Sequence, residues 1–158
     1  METPKSAIRA AGLALVTTIT LLGVGPTAGT ASTASSAPAA KATTVTIEVG
    51  DTAGVKGPMT MTVTPASAPA GKVRFRVTNT GTILHEMVVL KTKTAYDQLP
   101  VNAKTNRVSE AKSVGEVGNV PKGKTKSVTL KLKKGKYVLV CNIAKHYGMG
   151  MRAAFTVT

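Results

Sequence analysis

Residues 137–151 read YVLVCNIAKHYGMGM, a strand-like segment followed by a short loop that carries several metal-binding side chains. Because side chains alternate along a strand, Cys141 shares a face with Leu139 and points inward if Leu139 lies in the core. His146 and two methionines follow within ten residues of that cysteine. A thiolate, an imidazole and a thioether are ligands that suit copper, so this stretch predicts both a strand and a metal site at its end.

A copper site of this kind needs a second imidazole, and the chain has two histidines and one cysteine. His85 is therefore the only candidate for the second imidazole. It begins a segment in which His85, Met87 and Val89 share one face, and this apolar face predicts that His85 points inward at the end of a strand. We expect the two segments to meet at one pole of the domain, where His85, Cys141, His146 and a methionine would form a copper site.

The region after residue 42 has the pattern of short β-strands separated by turns. Apolar residues recur at every second position, and Gly, Pro, Asn or Asp mark the intervening turns. The strand-like segments are Thr43–Val49, Met59–Val63, Val73–Thr78, Thr82–Leu90, Val128–Leu132, Gly135–Cys141 and Ala153–Val157. About seven to eight such strands predict an all-β fold, a Greek-key β-sandwich with antiparallel sheets. The polar segment Lys91–Val120 has no clear pattern, apart from a short helix expected near Thr94–Leu99.

The first part of the chain has the pattern of an export signal. A positively charged start precedes an apolar run at residues 11–25, which is too short for a comfortable membrane span. Small residues follow, with possible cleavage points after Ala31 or Ala39. We expect residues 1–39 to be a signal peptide with a disordered Ala/Ser/Thr-rich tail, and 43–158 to be a single exported domain, periplasmic or extracellular. The alternative is an uncleaved N-terminal anchor.

The chain is strongly basic, with a formal net charge of +14. A positive field of this size favours an acidic partner protein or an anionic surface, such as a membrane or cell wall, and speeds the encounter with it. Nucleic acid is not expected as a partner, because three tyrosines, two phenylalanines and no tryptophan leave little for base stacking. The single cysteine cannot form an intramolecular disulfide, and we expect a monomer.

The combination of these motifs resembles the cupredoxins, or blue copper proteins. The matching elements are Gly135-x-Tyr137-x-Leu139-x-Cys141, Cys-x4-His-x4-Met, and Asn79-x-Gly81-x-x-x-His85 upstream. The spacing from cysteine to methionine resembles the rusticyanin and auracyanin branch more than plant plastocyanin.

The resemblance implies a role for each candidate ligand. His85, Cys141 and His146 would be equatorial ligands of one type 1 copper. Met151 would be the weak axial ligand, and Met149 is the alternative thioether. The edge of His146 on the loop would be the route for electrons, and apolar neighbours such as Ile143 and Met149 would form the docking patch.

The sequence departs from the resemblance at Glu86, where plastocyanins and azurins carry an asparagine that links the two ligand loops. Glu86 either takes over that link or lies in solvent.

The resemblance implies a mononuclear protein that shuttles single electrons by Cu(I)/Cu(II) cycling, and not an enzyme. Copper oxidases and nitrite reductases place histidines beside the cysteine, whereas here the neighbours are Val140 and Asn142. No histidine is left for a second copper centre, and no second cysteine exists for a binuclear site.

The alternative function is that of an exported copper carrier or buffer, which would bind Cu(I) and hand it on. Four methionines give it some support: Met59, Met61, Met87 and Met149. Against it, Met59 and Met61 are spaced as core residues of a strand.

Overall fold

The structure is a computed structural model that describes residues 41–158. The signal peptide and tail expected within residues 1–39 lie outside the described residues. The strands are β1 (Thr43–Asp51), β2 (Met59–Thr64), β3 (Ser67–Ala68), β4 (Gly71–Asn79), β5 (His85–Lys91), β6 (Val101–Asn102), β7 (Arg107–Val108), β8 (Ser113–Val120), β9 (Thr125–Leu132), β10 (Gly135–Val140) and β11 (Arg152–Val157). A 3-10 turn, Gly54–Lys56, is the one helical element in this part of the chain.

Two sheets form the sandwich. The first has the strand order β2-β1-β4-β9, the second has the order β3-β11-β10-β5-β8, and β6 and β7 form a separate short ribbon. The predicted all-β sandwich is thus confirmed, with eight strands of six or more residues.

The sheets are not purely antiparallel, because β1 runs parallel to β4 and β3 runs parallel to β11. After β2 the chain crosses to the second sheet, where it forms β3. It then crosses back to the first sheet as β4, which lies beside β1 and runs in the same direction.

The core lies between the sheets and follows the alternation of the sequence. Val45, Ile47 and Val49 of β1 are fully buried, and Thr46 and Glu48 between them face outward. Phe75 of β4 meets Phe155 of β11 edge to face, with ring centroids 5.3 Å apart. These two rings join the first sheet to the second, an arrangement that aromatic pairs prefer.

A second apolar cluster lies on the outer face of β5 and β10, under the segment 92–112. Its buried members are Val88, Leu90, Val108, Val138, Val140 and Tyr147, with Leu99 packed against them. This cover explains the dense apolar run in β5, which is buried on both faces.

The helix expected near Thr94–Leu99 is wrong, since these residues form bends and turns. The Tyr147 hydroxyl donates to the carbonyl of Tyr96 at 3.0 Å and accepts from the Leu99 N–H at 2.9 Å. The Leu99 N–H, which a helix would pair internally, is therefore paired with a side chain from the loop after β10, and Pro100, which follows directly, has no N–H.

Candidate metal centre

His85 is positioned by a turn that the buried side chain of Asn79 closes. The Asn79 amide group donates to the carbonyls of Ile83 at 2.7 Å and Val120 at 2.8 Å, and its oxygen accepts from the Gly81 N–H at 2.8 Å. The turn therefore connects the end of β4 to the start of β5 in one fixed path. The Asn79-x-Gly81 motif thus corresponds to this hydrogen-bonded turn.

Cys141 directly follows β10, and the loop after it folds back through its own backbone. The Cys141 N–H donates to the carbonyl of Met151 at 3.0 Å, and the Met151 N–H donates to the carbonyl of His146 at 3.1 Å. Gly150 is required where the loop closes, because its φ is +110° and a Cβ would lie 2.7 Å from the carbonyl oxygen of Met59. The loop thus brings Cys141, His146 and Met151 together by hydrogen bonds independent of their side chains.

The three predicted equatorial side chains converge at one point. Nδ1 of His85 and Nδ1 of His146 are 3.3 Å apart, and Sγ of Cys141 is 3.3 Å from Nδ1 of His146. One ligand atom from each residue lies within 4.8 Å of the others, and all three side chains are buried. Atoms this far apart can each reach a common metal ion at about 2 Å.

The chemistry of the donor set fits a copper ion. Two imidazoles and one cysteine sulfur meet at one buried point, and two imidazoles with a thiolate are ligands that suit copper. Burial, followed by the neighbouring His85, lowers the pKa of His146, so its imidazole stays neutral and keeps a lone pair for a metal.

The sulfur of Cys141 differs from the imidazoles in its protonation. Burial raises the pKa of the thiol to about 11, so metal binding there must release its proton. The backbone N–H of Glu86 donates to Sγ at 3.4 Å and places a positive dipole end against the sulfur.

Glu86 also links the two ligand segments, which settles the alternatives raised by the sequence. Its Oε1 accepts from the N–H of Asn142 at 3.1 Å, directly after the cysteine. Burial and the nearby carboxylate of Glu110 raise the pKa of Glu86. The Asn142 side chain accepts from the N–H of Val108 and donates to the Val108 carbonyl and to the Glu110 carboxylate. These bonds join the segment 92–112, which covers β5 and β10, to the site.

A further side chain at the site was not predicted. The carboxylate of Asp51, at the end of β1, lies 2.9 Å from Nε2 of His85. In the sequence, Gly50-Asp51 has only the pattern of a turn, and no local signal indicates a partner 34 residues further along the chain.

The two methionines differ in their surroundings. Met151 is fully buried in the inter-sheet core, whereas Met149 is half-buried at its margin, and its carbonyl accepts from the N–H of Met59 at 3.0 Å. The sequence predicts an exposed loop position for His146, but the residue is only 2% exposed; its role as the route for electrons stays a prediction. Ile143 is half-buried nearby, and Leu84, next to His85, is 42% exposed.

Comparison with known proteins agrees with this geometry. A model described as copper binding proteins of the plastocyanin/azurin family matches residues 42–158. None of the curated proteins compared with the chain matches it.

Solved structures share the fold at low sequence identity. Auracyanin from Roseiflexus castenholzii is 20% identical, with a TM-score of 0.52, covering 76% of this chain and 99% of its own. An azurin from Methylomonas sp. strain J is 18% identical, with a TM-score of 0.53 and coverages of 75% and 99%. Rusticyanin from Thiobacillus ferrooxidans is 20% identical, with a TM-score of 0.51 and coverages of 75% and 79%. The chain belongs to the plastocyanin/azurin family of copper-binding proteins, the cupredoxins.

Proposed function

We propose that this cupredoxin is a mononuclear type 1 copper protein that shuttles single electrons between redox partners. The observation that carries the proposal is the convergence of His85, Cys141 and His146 at one buried point. Bound copper would supply the one-electron Cu(I)/Cu(II) couple there. We assign these three residues as equatorial ligands and Met151 as the axial ligand, with Met149 as the alternative.

The protein's own residues would keep rearrangement small when an electron moves. Backbone hydrogen bonds from the loop and from β5 hold the ligand-bearing segments without any help from a metal. Burial of all three side chains keeps water away from the donor atoms. Ligands oriented by the protein in this way would need little rearrangement when an electron moves.

An enzyme reaction is not part of the proposal. Both histidines and the single cysteine of the sequence are used in one cluster, so the chain offers no imidazole or thiolate for a second copper centre. The methionines that favoured a copper buffer are also largely taken up by packing, since Met59, Met61 and Met87 are at most 8% exposed in the core.

The proposal is tested by adding Cu(II) to the purified domain, residues 43–158. We expect an intense thiolate-to-copper absorption band in the visible range at one copper per protein, narrow copper hyperfine splitting, and a reversible one-electron wave. A colourless protein that takes up only Cu(I) would support the copper carrier instead and overturn the electron-transfer function.

We also propose that residues 1–39 are a signal peptide and tail, and that the domain acts as an exported monomer in the periplasm or outside the cell. The pattern of the N-terminal sequence supports this. Within residues 41–158 no helix has the length and apolar character needed to cross a bilayer.

The basic charge of the chain supports contact with an anionic surface at the end of the sandwich opposite the metal site. Five lysines line one cavity of about 510 Å³, and no acidic residue lines it. They are Lys91, Lys93, Lys112, Lys134 and Lys136. This lysine cavity lies where β5 ends and β10 begins, whereas His85 begins β5 and Cys141 follows the end of β10. We propose that it faces an anionic membrane or cell-wall surface, which leaves the metal pole free for an acidic redox partner.

Neutralising the lysine cavity should weaken binding to vesicles that contain an anionic phospholipid. We expect the triple variant Lys93→Gln, Lys134→Gln, Lys136→Gln to bind about a hundredfold more weakly at low salt, since each lysine near such a surface contributes about 1 kcal/mol. Sedimentation of the protein with vesicles measures this.

A second triple variant provides the matched control for net charge: Lys56→Gln, Lys122→Gln, Lys124→Gln. These lysines are exposed near the metal pole, where Lys124 accepts from Asn79 through its carbonyl. Equal losses in the two triple variants would show that only the net charge matters and would contradict a localised surface.

A further inference from the structure

A buried carboxylate lies behind one of the proposed ligands. Oδ2 of Asp51 is 2.9 Å from Nε2 of His85, and both side chains are fully buried. The other ring nitrogen of His85, Nδ1, faces His146. Among residues 41–158 no lysine or arginine forms a salt bridge with Asp51, so none of them neutralises its carboxylate directly.

The carboxylate is surrounded by hydrogen-bond donors. Oδ1 accepts from the Gly54 N–H at 2.6 Å and from the Thr82 hydroxyl, and Oδ2 accepts from the Thr82 N–H at 2.7 Å and the Ile83 N–H at 3.3 Å. Four donors aimed at its two oxygens favour the ionised form of this carboxyl group. Asp51 is therefore a carboxylate in the folded protein.

The space around the pair has no room for a larger residue. A Cβ at Gly81 would collide with Oδ2 of Asp51 and would lie 2.9 Å from Nε2 of His85. Asp51 belongs to β1 in the first sheet and His85 to β5 in the second, so their contact also joins the two sheets at the metal pole.

We propose that Asp51 is a positioning residue that holds His85 in the tautomer with its proton on Nε2 and its Nδ1 lone pair directed at the metal. The inference rests on the proposed function, because it concerns the same site. A carboxylate that accepts from the remote nitrogen of a ligand imidazole fixes its orientation and raises its basicity.

The charge of Asp51 has a second consequence for the redox couple. One thiolate and two neutral imidazoles leave a site charge of +1 with Cu(II) and 0 with Cu(I). A fixed negative charge in a buried position therefore stabilises the oxidised state more than the reduced state. Asp51 should keep the reduction potential lower than the buried, thioether-containing ligand set alone would give.

Asp51→Asn tests both consequences. The asparagine oxygen can still accept from Gly54 and Thr82. The NH₂ group would take the place of Oδ2, where it cannot accept from the Nε2–H of His85. We therefore expect the proton of His85 to move from Nε2 to Nδ1, which is the other tautomer. We expect Cu(II) binding to weaken tenfold to a hundredfold relative to Cu(I) binding. That change raises the potential by about 59 to 118 mV.

The readouts are the ¹⁵N NMR signals of the imidazoles in the metal-free protein, at a pH where they are neutral, and the midpoint potential of the copper-loaded protein. Thr82→Val is the matched control, because it removes one hydrogen bond to Asp51 and leaves its charge and its contact with His85. We expect a small loss of stability in this control, with the wild-type tautomer.

Two results would overturn the proposal. One is a wild-type, metal-free protein in which His85 carries its proton on Nδ1, a measurement that does not require the variant to fold. The other is Asp51→Asn with the wild-type tautomer and potential and only reduced thermal stability, which would make Asp51 a structural residue. Failure of the proposed function would be seen separately, as a wild-type protein without the copper band.

Discussion

Cys141→Ser is expected to abolish the intense visible absorption of the copper-loaded protein while the sandwich stays folded. The band requires a thiolate, and a serine hydroxyl is neither soft nor deprotonated at neutral pH. Fold retention is expected because the backbone N–H of Cys141, bonded to Met151, is unchanged. The new hydroxyl can accept from the Glu86 N–H in place of the sulfur. A buried hydroxyl with a partner should cost about 1 kcal/mol of unfolding free energy.

Absorbance at equal copper and protein concentrations measures the first effect, and circular dichroism with thermal unfolding measures the second. Val140→Ala is the matched control, since Val140 precedes Cys141 and is buried on the other face of β10. It should lose stability through the cavity it creates and keep the band. An unfolded Cys141→Ser protein would make Cys141 structural, and a persisting band would exclude its thiolate as the chromophore.

The sandwich and the convergence of the ligands could be predicted because both follow from alternation. In β1, Val45 and Ile47 are buried where the period of two places them. His85 and Cys141 lie at inward positions at the same end of neighbouring strands, β5 and β10, and this pairing is antiparallel. Because the two strands run antiparallel, the start of β5 lies beside the end of β10.

The surroundings of the site could not be predicted, since they depend on partners distant in the sequence. Asp51 ends a strand with a turn pattern, and its contact with His85 depends on how β1 in one sheet is placed against β5 in the other. Asn142 next to the cysteine contacts Val108, which belongs to a segment without periodicity. The burial of His146 likewise follows from hydrogen bonds within its loop, which local polarity does not reveal.

Met151→Leu is expected to raise the reduction potential and alter the copper spectrum, whereas Met149→Leu should leave both close to wild type. Leucine has nearly the volume of methionine, so the fold should lose less than about 1.5 kcal/mol in either variant. Loss of the proposed axial thioether would take a donor from Cu(II), the state that prefers more ligands. Each tenfold loss of Cu(II) binding relative to Cu(I) binding raises the potential by about 59 mV. Voltammetry and electron paramagnetic resonance measure the two effects.

The backbone of the loop is the reason to expect this asymmetry. Met151 donates its N–H to the carbonyl of His146 and accepts from the N–H of Cys141, so the bonds that place both ligands also place its own Cα. Met149 is bonded instead to Lys145 and to Met59 of β2, at the half-exposed margin of the core. If Met149→Leu shifted the potential and Met151→Leu did not, the axial ligand would be Met149. Burial of Met151 would then reflect only its packing between the sheets.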